Sequence, residues 1–176
     1  MDKTQETFLK QCIRDIPDWP KKGILFRDIT PLLANSDALV AAIKAIADTA
    51  AGLGVQYVAA VEARGFIFGS AVAEKIGAGF VPIRKKGKLP YKTESLTYNL
   101  EYGTDMLEVH SDAVEKNAKV LMVDDLLATG GTMGAACELM ENVGADIVGI
   151  TFLIELADLS GREKLRGRKV NTIISY

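Results

Sequence analysis

Residues 119–132, KVLMVDDLLATGGT, run four apolar side chains into two adjacent carboxylates and then into a short turn of glycines and hydroxyls. Val120 to Val123 read as a compact buried strand, and Met133, Ala136, Cys137, Met140 and Val143 recur on one face of a helix after the turn. In an open α/β sheet, ligands collect beyond the carboxyl ends of the strands. The spacing puts Asp124, Asp125, Thr129, Gly130, Gly131 and Thr132 there. Glycines let backbone N–H groups turn inward, and the threonine hydroxyls and the helix N-terminus add donors for an anion. The acids oppose a bare phosphate. They make sense if the ligand also offers sugar hydroxyls as donors or brings a divalent cation with it. The segment therefore suggests a phosphorylated sugar, with a simple helix-capping turn as the alternative.

Outward from this stretch the pattern repeats. Tyr57 to Val61 read as a buried strand with Glu62 to Gly65 as its exit, IFGSAVAEKIG as a helix, and AGFVPIRKK as a strand with a strongly basic end. DIVGITFLIEL and KVNTIISY supply two further strands. Strand, helix, strand repetition predicts an α/β domain with a doubly wound, mainly parallel sheet and flanking helices. Phe8, Leu9, Cys12, Ile13 and Ile16 share a helical stripe that Pro17 and Pro20 end, and WPKKGILFRDITPLL reads as an irregular connector lining a cleft. Leu39, Ile43, Ile46, Ala47 and Ala50 form another helical face, with Ser36 as its expected cap. Residues 87–104 lose the helical stripe, and Tyr98, Leu100 and Tyr102 alternate, which predicts a mobile antiparallel flap belonging to a small hood.

The chain has 176 residues, 48% of them hydrophobic, enough for one domain spanning 1–176 with a sizeable core. With 21 basic and 23 acidic side chains, composition offers no argument for nucleic-acid binding. No apolar run approaches the roughly 20 residues of a membrane span, and MDKTQETFLKQC lacks the basic start of a signal peptide. Two cysteines, Cys12 and Cys137, read as reduced core thiols, so a cytoplasmic setting is expected. The lone histidine, His110, excludes a multi-histidine metal cluster and is expected at a strand edge. GxxxxGK[ST] is absent, and GLGVQY at Gly52 lacks the third glycine of a dinucleotide loop.

VLMVDDLLATGGT closely resembles the phosphoribosyl-pyrophosphate signature of the type I phosphoribosyltransferases. Together with GILFRDITPLL, EARGFIFG, IRKKGKLP, LEYGTDMLEVH and GREKL, it resembles the adenine phosphoribosyltransferase family over nearly the whole chain. The resemblance implies transfer of a 5-phosphoribosyl group from phosphoribosyl pyrophosphate to adenine, giving AMP and pyrophosphate in purine salvage. It implies magnesium bound through the donor, without a metal site of the protein's own, and a homodimer. Asp124 and Asp125 would bind the ribose and stabilise its developing positive charge, while Ala128, Thr129, Gly130, Gly131 and Thr132 cradle the 5-phosphate. Arg64, Gly65, Arg84, Lys85 and Lys88 would face the pyrophosphate. Leu25, Phe26 and Arg27, within a base-binding hood segment over 1–34, would hold adenine, Phe26 by stacking and its neighbours through their backbone. Glu101 would take the base's proton, with Tyr102 covering the donor from the flap. A transferase for another purine, or a regulator sensing purines or phosphoribosyl pyrophosphate, is the alternative; the latter would ordinarily need a nucleic-acid module.

Overall fold

The computed structural model describes residues 2–99 and 104–176. In chain order the elements are α1 (Lys3–Gln11), β1 (Arg14–Pro17), β2 (Leu25–Asp28), α2 (Thr30–Ala34), α3 (Ser36–Asp48), β3 (Tyr57–Val61), α4 (Arg64–Ile76), β4 (Gly79–Lys85), β5 (Thr93–Asn99) and β6 (Thr104–His110). They continue with β7 (Lys119–Leu127), α5 (Gly131–Asn142), β8 (Asp146–Glu155), two 3-10 turns (Ala157–Leu159 and Gly161–Leu165) and β9 (Val170–Ser175).

Seven strands form one sheet in the order β5-β6-β4-β3-β7-β8-β9. From β4 to β9 all neighbours are parallel, and β6 and β5 add an antiparallel edge. Strand β7 shows why its sequence is apolar at consecutive positions. Val120 and Met122 enter the core under α5, whereas Leu121 and Val123 enter the opposite core under α3 and α4, and all four are fully buried. A parallel sheet covered on both faces requires this loss of alternation, and each such side chain contributes about 1.5–3 kcal/mol by leaving water.

The amino-terminal segment departs from the pattern-based expectation. Helix α1 ends at Gln11, and Arg14–Pro17 pair antiparallel with Leu25–Asp28, so the supposed irregular connector is half of a separate two-stranded hairpin. Ile13 is buried in the bend after α1 and Ile16 is half-buried in the extended backbone of β1, a case in which a short apolar set fits period 2 and period 3.6 alike. The cap of α3 is Asn35, whose side chain accepts hydrogen bonds from the Asp37 and Ala38 amides, and not Ser36. In the segment expected to form an antiparallel flap, β5 pairs antiparallel along its whole length with β6, which itself pairs with β4. Both cysteines are free, and burial pushes the Cys137 thiol up to about 12. No helix among the described residues is long and apolar enough to cross a membrane.

Candidate active site

Helix α4 follows β3 and returns the chain to β4 on one side, while α5 follows β7 and returns it to β8 on the other. The crevice between β3 and β7 is therefore the topological switch point of the sheet. Both helices begin there without a side-chain cap: Ala63 precedes α4 and Gly130 precedes α5. Their first amide groups, unpaired within a helix by geometry, give two neighbouring anion-binding ends.

Asp124 and Asp125 sit between those ends. Strand β7 does not stop at Val123 as the apolar run suggests; it carries both acids and continues to Leu127, paired with β8. Adjacent strand residues face opposite sides, and the two carboxylates have different surroundings. Asp124 Oδ1 accepts from the Asp125 amide at 2.9 Å. It lies over the first turn of α4, where a Cβ on Gly65 would come within 2.7 Å of it, so that position requires glycine. Asp125 is 5% exposed and forms an ion pair with Arg64 Nε at 2.9 Å. The guanidinium meets its Oδ2. Burial raises the pKa of Asp124, and the neighbouring Asp125 charge raises it further. Burial raises Asp125 as well, with the Arg64 guanidinium opposing.

The turn after β7, expected to hold a phosphate, wraps a cavity of about 80 Å³ lined by Asp124, Ala128, Thr129, Gly130, Gly131 and Thr132 among others. Its shape is fixed from behind by Gly161. A Cβ on Gly130 would meet Gly161 O at 2.2 Å, and one on Gly161 would meet Ala128 O at 2.2 Å, so the two backbones touch. Gly161 belongs to the GREKL segment, but its contact with a loop thirty residues away is invisible in sequence. From the other side Thr132 donates to the Tyr98 hydroxyl of β5 at 3.4 Å, another contact that sequence reading missed.

The basic strand exit is braced by acids. Glu62 accepts from Arg84 Nη2 at 3.1 Å and from the Lys85 amide at 2.6 Å, and Arg84 Nη1 donates to Lys88 O at 3.1 Å. Burial works against the Glu62 charge, yet the Lys85 amide and the Arg84 guanidinium prevail and hold its pKa below the usual value. Asp105 of β6 pairs with Lys85 Nζ at 3.0 Å, and Glu108 accepts from the Gly87 amide at 2.9 Å. Arg84 and Lys85 are thus already paired, and Lys88 is exposed. Glu62 and Arg64, two positions apart, do different work: one shapes the basic turn, the other meets Asp125.

On the hairpin, Phe26 packs edge-on against Trp19 at 4.4 Å between centroids, with the Arg64 guanidinium 5.5 Å from the Phe26 ring. Leu25 is 45% exposed. The Arg27 side chain leaves this face for Asp15 and the Tyr176 ring, so any part it plays toward a base is left to its backbone. The structure therefore brings Phe26, Arg64, Gly65, Asp124 and Asp125 around one crevice, with the phosphate turn beside them. His110 ends β6, against Tyr91. Glu101 and Tyr102 lie outside the described residues. Among the described residues, no three His, Cys, Asp or Glu side chains cluster to hold a metal ion.

Residues 29–174 match the model of the phosphoribosyl transferase domain. An adenine phosphoribosyltransferase of Pseudothermotoga lettingae is 53% identical over 168 residues, which are 96% of this chain and 99% of the relative. The crystal structure of the adenine phosphoribosyltransferase from Thermoanaerobacter pseudethanolicus superimposes with a TM-score of 0.94 at 49% identity, covering 97% of this chain and 99% of that one. The Saccharomyces cerevisiae enzyme, solved with an imino-altritol bisphosphate and adenine, gives 0.92 at 36% identity, with 97% and 99% covered. A switch-point crevice with two uncapped helix ends about an acid pair, a matching domain model and relatives this similar over their full length lead to one assignment: the chain belongs to the adenine phosphoribosyltransferases of the type I phosphoribosyltransferase family.

Proposed function

We propose that this chain transfers the 5-phosphoribosyl group of phosphoribosyl pyrophosphate to adenine, forming AMP and pyrophosphate in purine salvage. The observation that carries the reading is the order of charge across the switch point: helix end, acid pair, helix end. That order complements a sugar bearing a phosphate at one end and a pyrophosphate at the other. In this assignment Ala128–Thr132 and the start of α5 hold the 5-phosphate, and Arg64, Gly65 and the start of α4 face the pyrophosphate. Lys88, with Arg84 and Lys85, borders the same region.

Cleavage of the anomeric C–O bond leaves the electron pair on pyrophosphate and positive character on the ribose ring. Asp124 and Asp125 supply negative charge where the cation develops, and the cations and amides supply positive charge where the leaving group gathers it. Electrostatic complementarity of this kind lowers the barrier without a protein nucleophile. Adenine N9 bonds to the anomeric carbon as it gives up its proton, and Glu101 is the proposed acceptor, with Tyr102 over the donor. Phe26 is proposed to stack on the base, and the Leu25 and Arg27 backbone to read its edge. The yeast relative solved with adenine supports this choice of base.

Magnesium is proposed to arrive with the donor. The hard carboxylate oxygens of Asp124 and Asp125, the latter buried, fit a dication held mainly by substrate oxygens. Such an ion neutralises charge on the pyrophosphate. The assembly is proposed to be a homodimer, for which exposed Ile67 on α4 and Leu25 offer apolar surface. Sedimentation is expected to give twice the 19.0 kDa of one chain, and a monomer at working concentration would remove that proposal.

The functional test is a base panel. With magnesium and phosphoribosyl pyrophosphate, adenine is expected to give AMP and pyrophosphate in equal amounts, and guanine and hypoxanthine little product. Turnover of guanine without turnover of adenine would reverse the assignment of the base. Binding of the donor without turnover of any base would favour a sensor.

A further inference from the structure

We propose that Tyr176 is a positioning residue for the adenine pocket, holding the β1–β2 hairpin at its working height by stacking against the side chain of Arg27. The proposal rests on reading Leu25–Arg27 as the base segment. The hairpin is its own two-stranded sheet, and among the described residues no ladder joins it to the seven-stranded one. A lone hairpin is marginal in water, so side-chain contacts must set where it stands.

Alternation along β2 separates two tasks. Phe26 turns toward Trp19 and Arg64, the side proposed for the base. Arg27 turns the other way, where its guanidinium carbon lies 3.7 Å from the Tyr176 ring centroid. Asp15, opposite Arg27 in the hairpin register, forms an ion pair with the same guanidinium. The Arg27 side chain is only 16% exposed, which strengthens a cation–ring contact relative to one in open solvent.

Tyr176 is itself a firm support. Its amide donates to Glu155 O at 3.0 Å, and its carbonyl accepts from the Ala157 amide at 2.9 Å. Those bonds fix it to the carboxyl end of β8, the same end of the sheet as the acid pair on β7. Lys10 Nζ approaches the ring too, at 5.4 Å, so helix α1 and the hairpin share one aromatic base. The linkage from sheet to base is then Glu155 backbone, Tyr176 ring, Arg27 side chain, Arg27 backbone. Asp15 travels with the hairpin and cannot replace this anchorage, because it lies on β1.

The test compares Tyr176→Phe and Tyr176→Leu. Steady-state constants are measured for adenine and for phosphoribosyl pyrophosphate. Adenine is also titrated against the emission of Trp19, the chain's single tryptophan, which packs on Phe26. Tyr176→Phe keeps the ring and is expected to match the unmodified protein. Tyr176→Leu keeps apolar bulk without a π face and is expected to raise the adenine KM about tenfold, leaving kcat and the donor KM little changed. An unchanged adenine KM in Tyr176→Leu, an equal rise in both KM values, or an equal loss in Tyr176→Phe would overturn the proposal. Should Tyr176→Leu lose its circular dichroism, Arg27→Lys serves instead. Its compact ammonium does not stack flat on the ring; the same adenine-selective loss is expected, and an unchanged adenine KM refutes the linkage. If the unmodified protein converts no adenine, the functional reading fails. If it converts adenine and the variants match it, the positioning role alone fails.

Discussion

Asp124→Asn is expected to lower turnover about 10²–10³-fold, the usual loss when one preorganised electrostatic partner is removed, and to raise thermal stability at the same time. The two effects share a cause. Burial and the adjacent Asp125 both disfavour the Asp124 carboxylate in the free protein, so its folded pKa lies above its unfolded one. For a raised carboxylate, the folded state binds more protons than the unfolded state between the two pKa values. Stability is therefore fully retained below the unfolded pKa and is lost as the pH rises through the folded pKa. Asparagine removes this loss while keeping the oxygen that accepts from the Asp125 amide.

The Tm of Asp124→Asn should exceed that of the unmodified protein at neutral pH by about 2–4 °C, from roughly 1 kcal/mol in a chain of this size. The gap should close in acid, where both side chains are neutral. Calorimetry at several pH values, with turnover measured in parallel, checks both halves. Adenine affinity should change least, because the proposed role of the acid is toward the sugar. A variant that is slower and less stable at every pH would mean that Asp124 is mainly structural.

The second large effect lies behind the phosphate turn. Gly130→Ala and Gly161→Ala each place a methyl group 2.2 Å from a backbone oxygen, which neither partner can yield without moving the loop. Gly130 also holds φ at +77°, adding strain that Gly161 does not carry. Each variant is expected to cost about 2–4 kcal/mol of stability and to raise the donor KM more than about tenfold, because amides aimed at the phosphate are displaced with the loop. Gly167→Ala is the control: φ is +82°, but no atom lies within 4 Å of the added carbon. It should cost only about 1 kcal/mol and leave the donor KM alone. Urea unfolding and donor kinetics on the three variants separate close approach from backbone strain. Equal losses in all three would exclude the contact between the two glycine backbones as the reason for the turn's shape.

How far the sequence could be read follows from the range of the forces involved. Tyr57–Val61 was legible to the residue because a strand buried on both faces must be apolar throughout, and glycine punctuation framed β4 and β8. The end of β7 was not legible. Asp124 and Asp125 look like a strand exit, yet pairing with β8 holds them in extended backbone, and ladder bonds do not depend on the side chain. The hairpin at Arg14–Asp28 was missed for a similar reason: two four-residue strands carry too few residues to show a period. At the site, the position of the acid pair and the glycine turn between a strand and a helix was legible because local residue chemistry marks it. Gly161, Tyr98 and Tyr176 were not, since each acts through a contact distant in sequence, and nothing in GREKL or IISY announces a partner. The braced state of Arg84 and Lys85 was equally hidden.

The two uncapped helices start from strands that are immediate neighbours, β3 and β7. They cover opposite faces of the sheet, so their free amide groups stand on either side of the acid pair. Main-chain pairing of β3 with β7 holds that arrangement without reliance on any one side chain. On the proposed assignment, a donor is selected by where its charges fall between those two ends. The base is assigned elsewhere, to a two-stranded hairpin outside the main sheet. Exchange of residues around Leu25–Arg27 is therefore expected to redirect the acceptor while the donor stays the same.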